Sequence, residues 1–203
     1  MDQKVKSNRL DPLPPEHSPE LKDQFDSFFK SLGFVPNSVL TMQRKPKLVR
    51  AFVAMQGAIW DPESKVDRGF KRILAHLAAR TAFDEYSMTH TASGALHFGV
   101  DEKKLVAAKD YKTSPLFTPA EKAALDVAVA AGQTPNGVTD AMFTELRKHW
   151  DEEQIVEIVS AIAMTWFLAR WNTTVVTPLE EEGIEVGEKY LSALGWTGGA
   201  HRR

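Results

Sequence analysis

An all-α fold of about nine helices follows from three features of the 203-residue sequence. Apolar residues recur at three- and four-residue spacing along most of the chain, the period of a helix with one buried face. Capping signatures precede several of these runs: Thr118-Pro119-Ala120-Glu121 is a capping box with proline at the first helical position, and Asp151 is followed three residues later by Gln154. No strictly alternating stretch bounded by hairpin turns occurs.

The elements follow in order. Pro12, Pro14 and Pro15 keep residues 1–17 extended, as an N-terminal arm long enough to reach a neighbouring subunit. Ser18-Pro19-Glu20 opens a helix with Leu21, Phe25, Phe28, Phe29 and Leu32 on its apolar side, and Gly33 stops it. A short helix runs from Asn37 to Gln43, and a longer one from Pro46 to Trp60, where Asp61-Pro62 breaks it. Helical spacing then predicts helices over 65–81, 84–98, 101–109, 119–131, 139–149 and 155–176, with Pro178 ending the last. A short helix over 186–194 precedes a glycine-rich tail, residues 196–203, expected to be flexible. Residues 18–195 read as one domain.

Composition excludes several functions. A formal net charge of −2 argues against nucleic acid or an anionic membrane as partner. No apolar stretch is long enough to span a bilayer and no signal-like segment opens the chain, so a cytoplasmic protein is expected. The chain has no cysteine, which removes disulfides, thiolate nucleophiles and cysteine-ligated zinc.

Reactive side chains are densest between Asp84 and Thr91, where Glu85, Tyr86, Ser87 and His90 also lie. On a helix Asp84, Ser87 and Thr91 share a face, and His90 is three residues from Ser87 and four from Tyr86. A carboxylate, a hydroxyl and an imidazole lining one pocket suit proton transfer; the alternative is a polar face bonded to its neighbours. Arg72 and His76 lie four apart on the preceding helix, His76 among apolar residues, where a core histidine is the competing reading. His90, Glu85 and His76 lack metal-ligand spacing, so no metal is expected. Near the end of the long apolar run, Trp166, Arg170, Trp171 and Asn172 offer a pocket wall and polar contacts, against a plain reading as core aromatics.

The order of several segments resembles the carboxymuconolactone decarboxylase family, which includes the thiol-dependent AhpD-like peroxidases. Gly33-Phe34-Val35-Pro36-Asn37 with Lys45-Pro46, the stretch Val66 to Asp101 running into Glu102-Lys103-Lys104-Leu105, Thr118 to Glu121, and Trp150 to Ile158 carry the likeness. It implies an AhpD-like helical bundle, a homo-oligomer, and a site on the helix pair 66–101. With Gly99 as anchor, the family's two cysteines fall on Asp84 and Ser87, its histidine on Thr91 and its glutamate on Arg72. Neither Asp nor Ser cycles through a disulfide, so thiol peroxidase chemistry is excluded. Decarboxylase-like members carry Tyr-Glu-Trp-x-x-His. Here Tyr86 is kept, Ser87 and Met88 replace the next two residues, and the imidazole, His90, arrives one residue early. One residue is about 100° of helix rotation, so either His90 lines another part of the pocket or the helix bulges to restore its place.

These residues imply a cofactor-independent lyase, decarboxylase or isomerase acting on a small, anionic carboxylate or carbonyl compound. His90 moves the proton, Asp84 or Glu85 orients it, and Tyr86 and Ser87 stabilise an oxyanion. Arg72 holds a carboxylate, with His76, Thr91 and Trp171 as further substrate contacts. The alternative is an inactive family member that binds a ligand or serves as an oligomeric scaffold.

Overall fold

The computed structural model describes residues 8–202, and among them ten α-helices and no strand are found. The central element is Arg68–Thr81 (α4), preceded by Lys22–Leu32 (α1), Asn37–Met42 (α2) and Pro46–Ile59 (α3). Ten of the eleven residues from Gly69 to Ala79 are buried, Arg72 being the exception. A helix buried nearly all round needs neighbours on every side. It finds them in Glu85–His97 (α5), Pro119–Ala131 (α7) and Glu152–Val175 (α9). The α4–α5 contact is the most extensive, because Ala92, Gly94 and Ala95 let the two backbones approach. Glu102–Ala107 (α6), Asp140–Leu146 (α8) and Glu181–Val186 (α10) complete the bundle.

The expected caps form. Thr118 and Asp151 each make a complete capping box and Thr139 accepts from the Met142 amide; Asp67, not anticipated, also accepts from the Phe70 amide. Asp84 occupies the N-cap position of α5 without capping it; its side chain turns inward and is fully buried. Helix α5 is regular throughout, so no bulge shifts His90.

Two apolar clusters result. The larger joins α4, α5, α7 and α9, while the smaller gathers Leu21, Phe25, Val39, Met42, Val49 and Phe52 against Met164 of α9. The C-terminal segment departs from expectation. The last α-helix begins at Glu181, five residues before the predicted start, and continues as a π-turn, Gly187–Leu191. Within residues 196–202, the tail expected to be flexible, Trp196, Gly198 and His201 are buried and the others exposed. Trp196 lies against Gly187, its Nε1 donating to the Glu85 carbonyl at 3.0 Å, and His201 is buried with Nδ1 2.8 Å from the Thr177 carbonyl oxygen. The arm over residues 8–17 lies along its own chain, through Arg9 and Leu10 to the Val175 carbonyl and Leu13 to the Leu40 carbonyl. Residues 1–7 of the predicted arm and Arg203 of the tail lie outside the described residues. No helix among the described residues is long and apolar enough to cross a membrane.

Candidate active site

A cavity of about 490 Å³ lies between the two apolar clusters, walled by α1–α3 on one side and by α4, α5 and α9 on the other. Of the predicted site residues, Arg72, Tyr86, Ser87, His90 and Thr91 line it together. His90 and Thr91 both reach it, from adjacent positions of one unbroken helix.

Behind His90 and Tyr86 of the cavity wall stands Glu180, which does not itself line the cavity, lies ninety residues beyond His90 in sequence and was not anticipated. Helix α9 ends at Val176, whose φ of +54° is unfavourable for a β-branched residue. That turn, held by Thr177 Oγ1 donating to Asn172 Oδ1 at 2.9 Å, sends Pro178-Leu179-Glu180 back across α5. Glu180 Oε2 then lies 2.9 Å from His90 Nε2. Its Oε1 accepts from the Tyr86 hydroxyl at 2.7 Å and from the Asn37 amide at 2.5 Å. Burial alone would raise the Glu180 carboxyl, but the His90 charge and the bonds from His90, Asn37 and Tyr86 hold it below the usual carboxylate range. With Nε2–H donated to a carboxylate, Nδ1 of His90 is left as the basic nitrogen. The imidazole stacks obliquely on Tyr86, with ring centroids 4.4 Å apart, and faces Phe34 at 5.8 Å.

Three predicted roles need correction on geometry. Neither Asp84 nor Glu85 touches His90; Glu180 takes that place. Glu85 accepts from the Thr197 amide at 2.8 Å and anchors the C-terminal segment. The Tyr86 hydroxyl is committed to Glu180 and also accepts from the Ser38 amide at 3.3 Å, so it braces the carboxylate instead of donating into the cavity. Burial, reinforced by the Glu180 charge, holds the phenol well above its ordinary range, so it remains a donor.

His76 and Trp171 are not among the lining residues. His76 is enclosed in the core, its Nδ1 3.1 Å from the Met88 carbonyl and 3.3 Å from Thr91 Oγ1. Burial pushes its pKa down to about 4, with Arg80 adding to the effect and the Met88 bond opposing it. Trp171 spends its Nε1 on Thr41 Oγ1 at 2.9 Å. Thr91 turns its own hydroxyl to the Ser87 carbonyl at 2.6 Å, so it presents mainly its methyl group.

Asp84 lies next to the cavity without lining it. Its two oxygens are buried and find no partner in hydrogen-bond geometry, and His201 Nε2 is 3.8 Å away. Burial raises its carboxyl above the ordinary value, opposed by Ser87, His201 and Asn172 nearby. Ser87 Oγ accepts from Asn172 Nδ2 at 3.2 Å, and its hydroxyl lies beside the Asp84 carboxyl, whose pKa it lowers.

Arg72 reaches the cavity by lying across α5. A Cβ on Gly94 would stand 2.9 Å from Arg72 Cδ and Nε, so only glycine leaves that path open. The guanidinium sits 3.8 Å above the Trp60 ring and has no ion pair among the described residues, and Nε is buried without an acceptor. Desolvation lowers its pKa to about 10, leaving it charged at neutral pH. Among the described residues no cluster of three histidine or carboxylate side chains suits a metal ion.

No protein-family model matches the chain. Over 133 residues, 66% of this chain and 71% of the relative, it is 29% identical to the uncharacterized protein YnjA of Escherichia coli K12. The solved structure of the debrominase Bmp8, a variant with one cysteine replaced by alanine and in complex with 2,3,4-tribromopyrrole, is 30% identical. It superimposes with a TM-score of 0.83 over 89% of this chain and 96% of that one. A peroxidase-related protein from Silicibacter sp. TM1040, 18% identical over 88% of this chain and 92% of its own, shares the fold with a TM-score of 0.72. So does an AhpD-core protein from Ralstonia eutropha JMP134, 20% identical over 86% and 94%, at 0.70. Common architecture, the shared order of segments and the missing cysteines together make this chain a divergent member of the carboxymuconolactone decarboxylase and AhpD-like family, one that lacks the Cys-x-x-Cys pair.

Proposed function

We propose that the cavity houses a cofactor-independent proton-transfer enzyme, a lyase, decarboxylase or isomerase acting on a small anionic carboxylate or carbonyl compound. The observation that carries this reading is the pairing of His90, which lines the cavity, with Glu180 behind it, braced by Tyr86 and the Asn37 amide. Glu180 selects the His90 tautomer and stabilises the imidazolium that forms when Nδ1 takes a proton from the substrate carbon. The electron pair left behind moves onto the substrate carbonyl oxygen, where the Ser87 hydroxyl donates to the enolate. In an isomerisation His90 returns the proton to a different carbon. In a decarboxylation His90 first takes a proton from solvent; carbon dioxide then leaves, and the imidazolium delivers that proton to the resulting carbanion. Membership beside a debrominase that binds an aromatic small molecule supports a small-molecule site. It does not transfer that relative's reaction, because the present chain has no thiol.

Self-association belongs to the same reading. Val156, Val159 and Phe167 line the outer face of α9 at helical spacing and are 64%, 39% and 38% exposed, an apolar stripe suited to a second copy of the chain. A cytoplasmic setting suits a chain without disulfides.

The test is solvent deuterium incorporation, followed by proton NMR, into a panel of 3-oxo acids and enol lactone carboxylates. His90→Ala should slow exchange by about 10²–10⁴-fold, and Glu180→Gln should slow it less. Equal rates in wild type and His90→Ala would overturn the assignment. Ligand binding with no exchange by wild type would favour the competing reading, a binding protein.

A further inference from the structure

Building on the proton-transfer reading, we propose that the cavity selects a planar aromatic carboxylate, with the carboxylate on Arg72 and the ring held among Phe34, Phe52, Trp60 and Phe98.

The Arg72 guanidinium is the unsatisfied group of the cavity. Its described neighbours are aromatic faces, Trp60 at 3.8 Å and Phe98 at 5.8 Å, which orient the plane but accept none of its N–H bonds conventionally. A cation withdrawn from water without an anion is unfavourable, and a carboxylate matches the planar fork with two parallel bonds. Glu182, the one carboxylate among the lining residues, is exposed to solvent and forms no ion pair with Arg72. The same arrangement disfavours a cationic ligand, since the Trp60 face that would attract it already carries the guanidinium.

The distance to the base sets the size of the ligand. Arg72 crosses α5 at Gly94, four residues beyond His90. One helical turn is about 5.4 Å, close to the span of one ring and its substituent, so a carboxylate on Arg72 brings the far side of a single ring toward the imidazole. Aromatic walls on several sides favour a flat π-face over a puckered aliphatic ring of equal size. Trp60 is fixed for this purpose by its Nε1 bond to Gln56 Oε1 at 2.7 Å. A cavity of about 490 Å³ suits one ring or two fused rings.

Calorimetric titration of the full chain with benzoate, 1-naphthoate, cyclohexanecarboxylate, benzamide and benzylammonium tests the proposal without depending on turnover. Benzoate or naphthoate should bind more tightly than the other three. Arg72→Met should weaken aromatic carboxylate binding at least about tenfold while leaving benzamide unchanged. Gly94→Ala, which keeps the arginine but obstructs its path, should do the same, with circular dichroism confirming the fold. Deuterium exchange is measured apart from these titrations, so failure of the proton-transfer reading and failure of carboxylate binding remain separable. Equal affinity for cyclohexanecarboxylate would overturn the aromatic half, preference for benzylammonium the anionic half, and unaltered benzoate binding by both variants the whole.

Discussion

His76 offers a quantitative test of how the site helix is supported. Its imidazole is 2% exposed and bonded to the Met88 carbonyl of α5, so the folded protein holds it neutral, with a pKa near 4 against 6.5 for a free histidine. The unfolded chain therefore takes up this proton first as pH falls. Stability contributed by the neutral ring is complete above pH 6.5 and is lost progressively down to about pH 4. At about 1.4 kcal/mol per pH unit, that interval amounts to roughly 3 kcal/mol. Urea unfolding followed by circular dichroism at steps from pH 7.5 to 4.5 measures it, against a His76→Gln variant that cannot titrate. Wild type should lose about 3 kcal/mol more than the variant over that range, whatever the variant's stability at neutral pH. Glu180 and Asp84 titrate in both proteins and cancel in the difference. Parallel pH profiles would refute the reasoning, as would altered ligand affinity in the variant at unchanged stability, which would return His76 to the binding site.

Glu180, held below the ordinary carboxylate range, contributes stability that is present above the carboxylate's unfolded pKa and lost as pH falls through its folded value. Acid unfolding of Glu180→Gln should accordingly be shallower than that of wild type below about pH 4.5. Trp196→Ala, which empties a site 3% exposed, should remove about 3–5 kcal/mol in thermal unfolding. A change below about 1 kcal/mol would mean that the C-terminal segment is not part of the core. The double variant Asp84→Cys with Ser87→Cys should consume no peroxide in a thiol-coupled assay, because position 84 is fully buried and Arg72 stands where the family has glutamate. Measurable turnover would show that the thiols alone were missing.

What was legible in the sequence was local. Thr118, Thr139 and Asp151 act through amides three residues away, so their caps could be read before any fold existed. Helical spacing placed Tyr86, Ser87 and His90 on one helix, and family likeness placed Arg72 beside it. Glu180 was hidden because its partners are 90, 94 and 143 residues away, and in sequence it is only the first of three glutamates after a proline. The packing of the tail was hidden for a related reason. Gly195, Gly198 and Gly199 look like flexibility, but all three have positive φ and turn the chain so that Trp196 and His201 pack inward. Such glycines are needed by a specific turn as often as by a mobile one. Asp84 was expected to orient His90, but its side chain is buried, and His90 bonds Glu180 instead.

The losses in this chain form a set. On the family likeness, the absence of the two thiols takes away the redox step, and Arg72 in the place of a glutamate would alter the charge of the same wall from negative to positive. Either change alone would leave a defective peroxidase site. Together with a histidine one position early, they need a new carboxylate, since an imidazole turned by about 100° no longer meets the old one. The strained turn at Val176 supplies it by carrying Glu180 over α5, and Asn172, Thr177 and His201 hold that turn from beneath. A site merely decaying has no reason to retain an unfavourable backbone conformation whose effect is to aim one carboxylate at one imidazole. The proposed proton-transfer reading gives that backbone conformation a purpose, and the deuterium-exchange rates of His90→Ala and Glu180→Gln decide whether it has one.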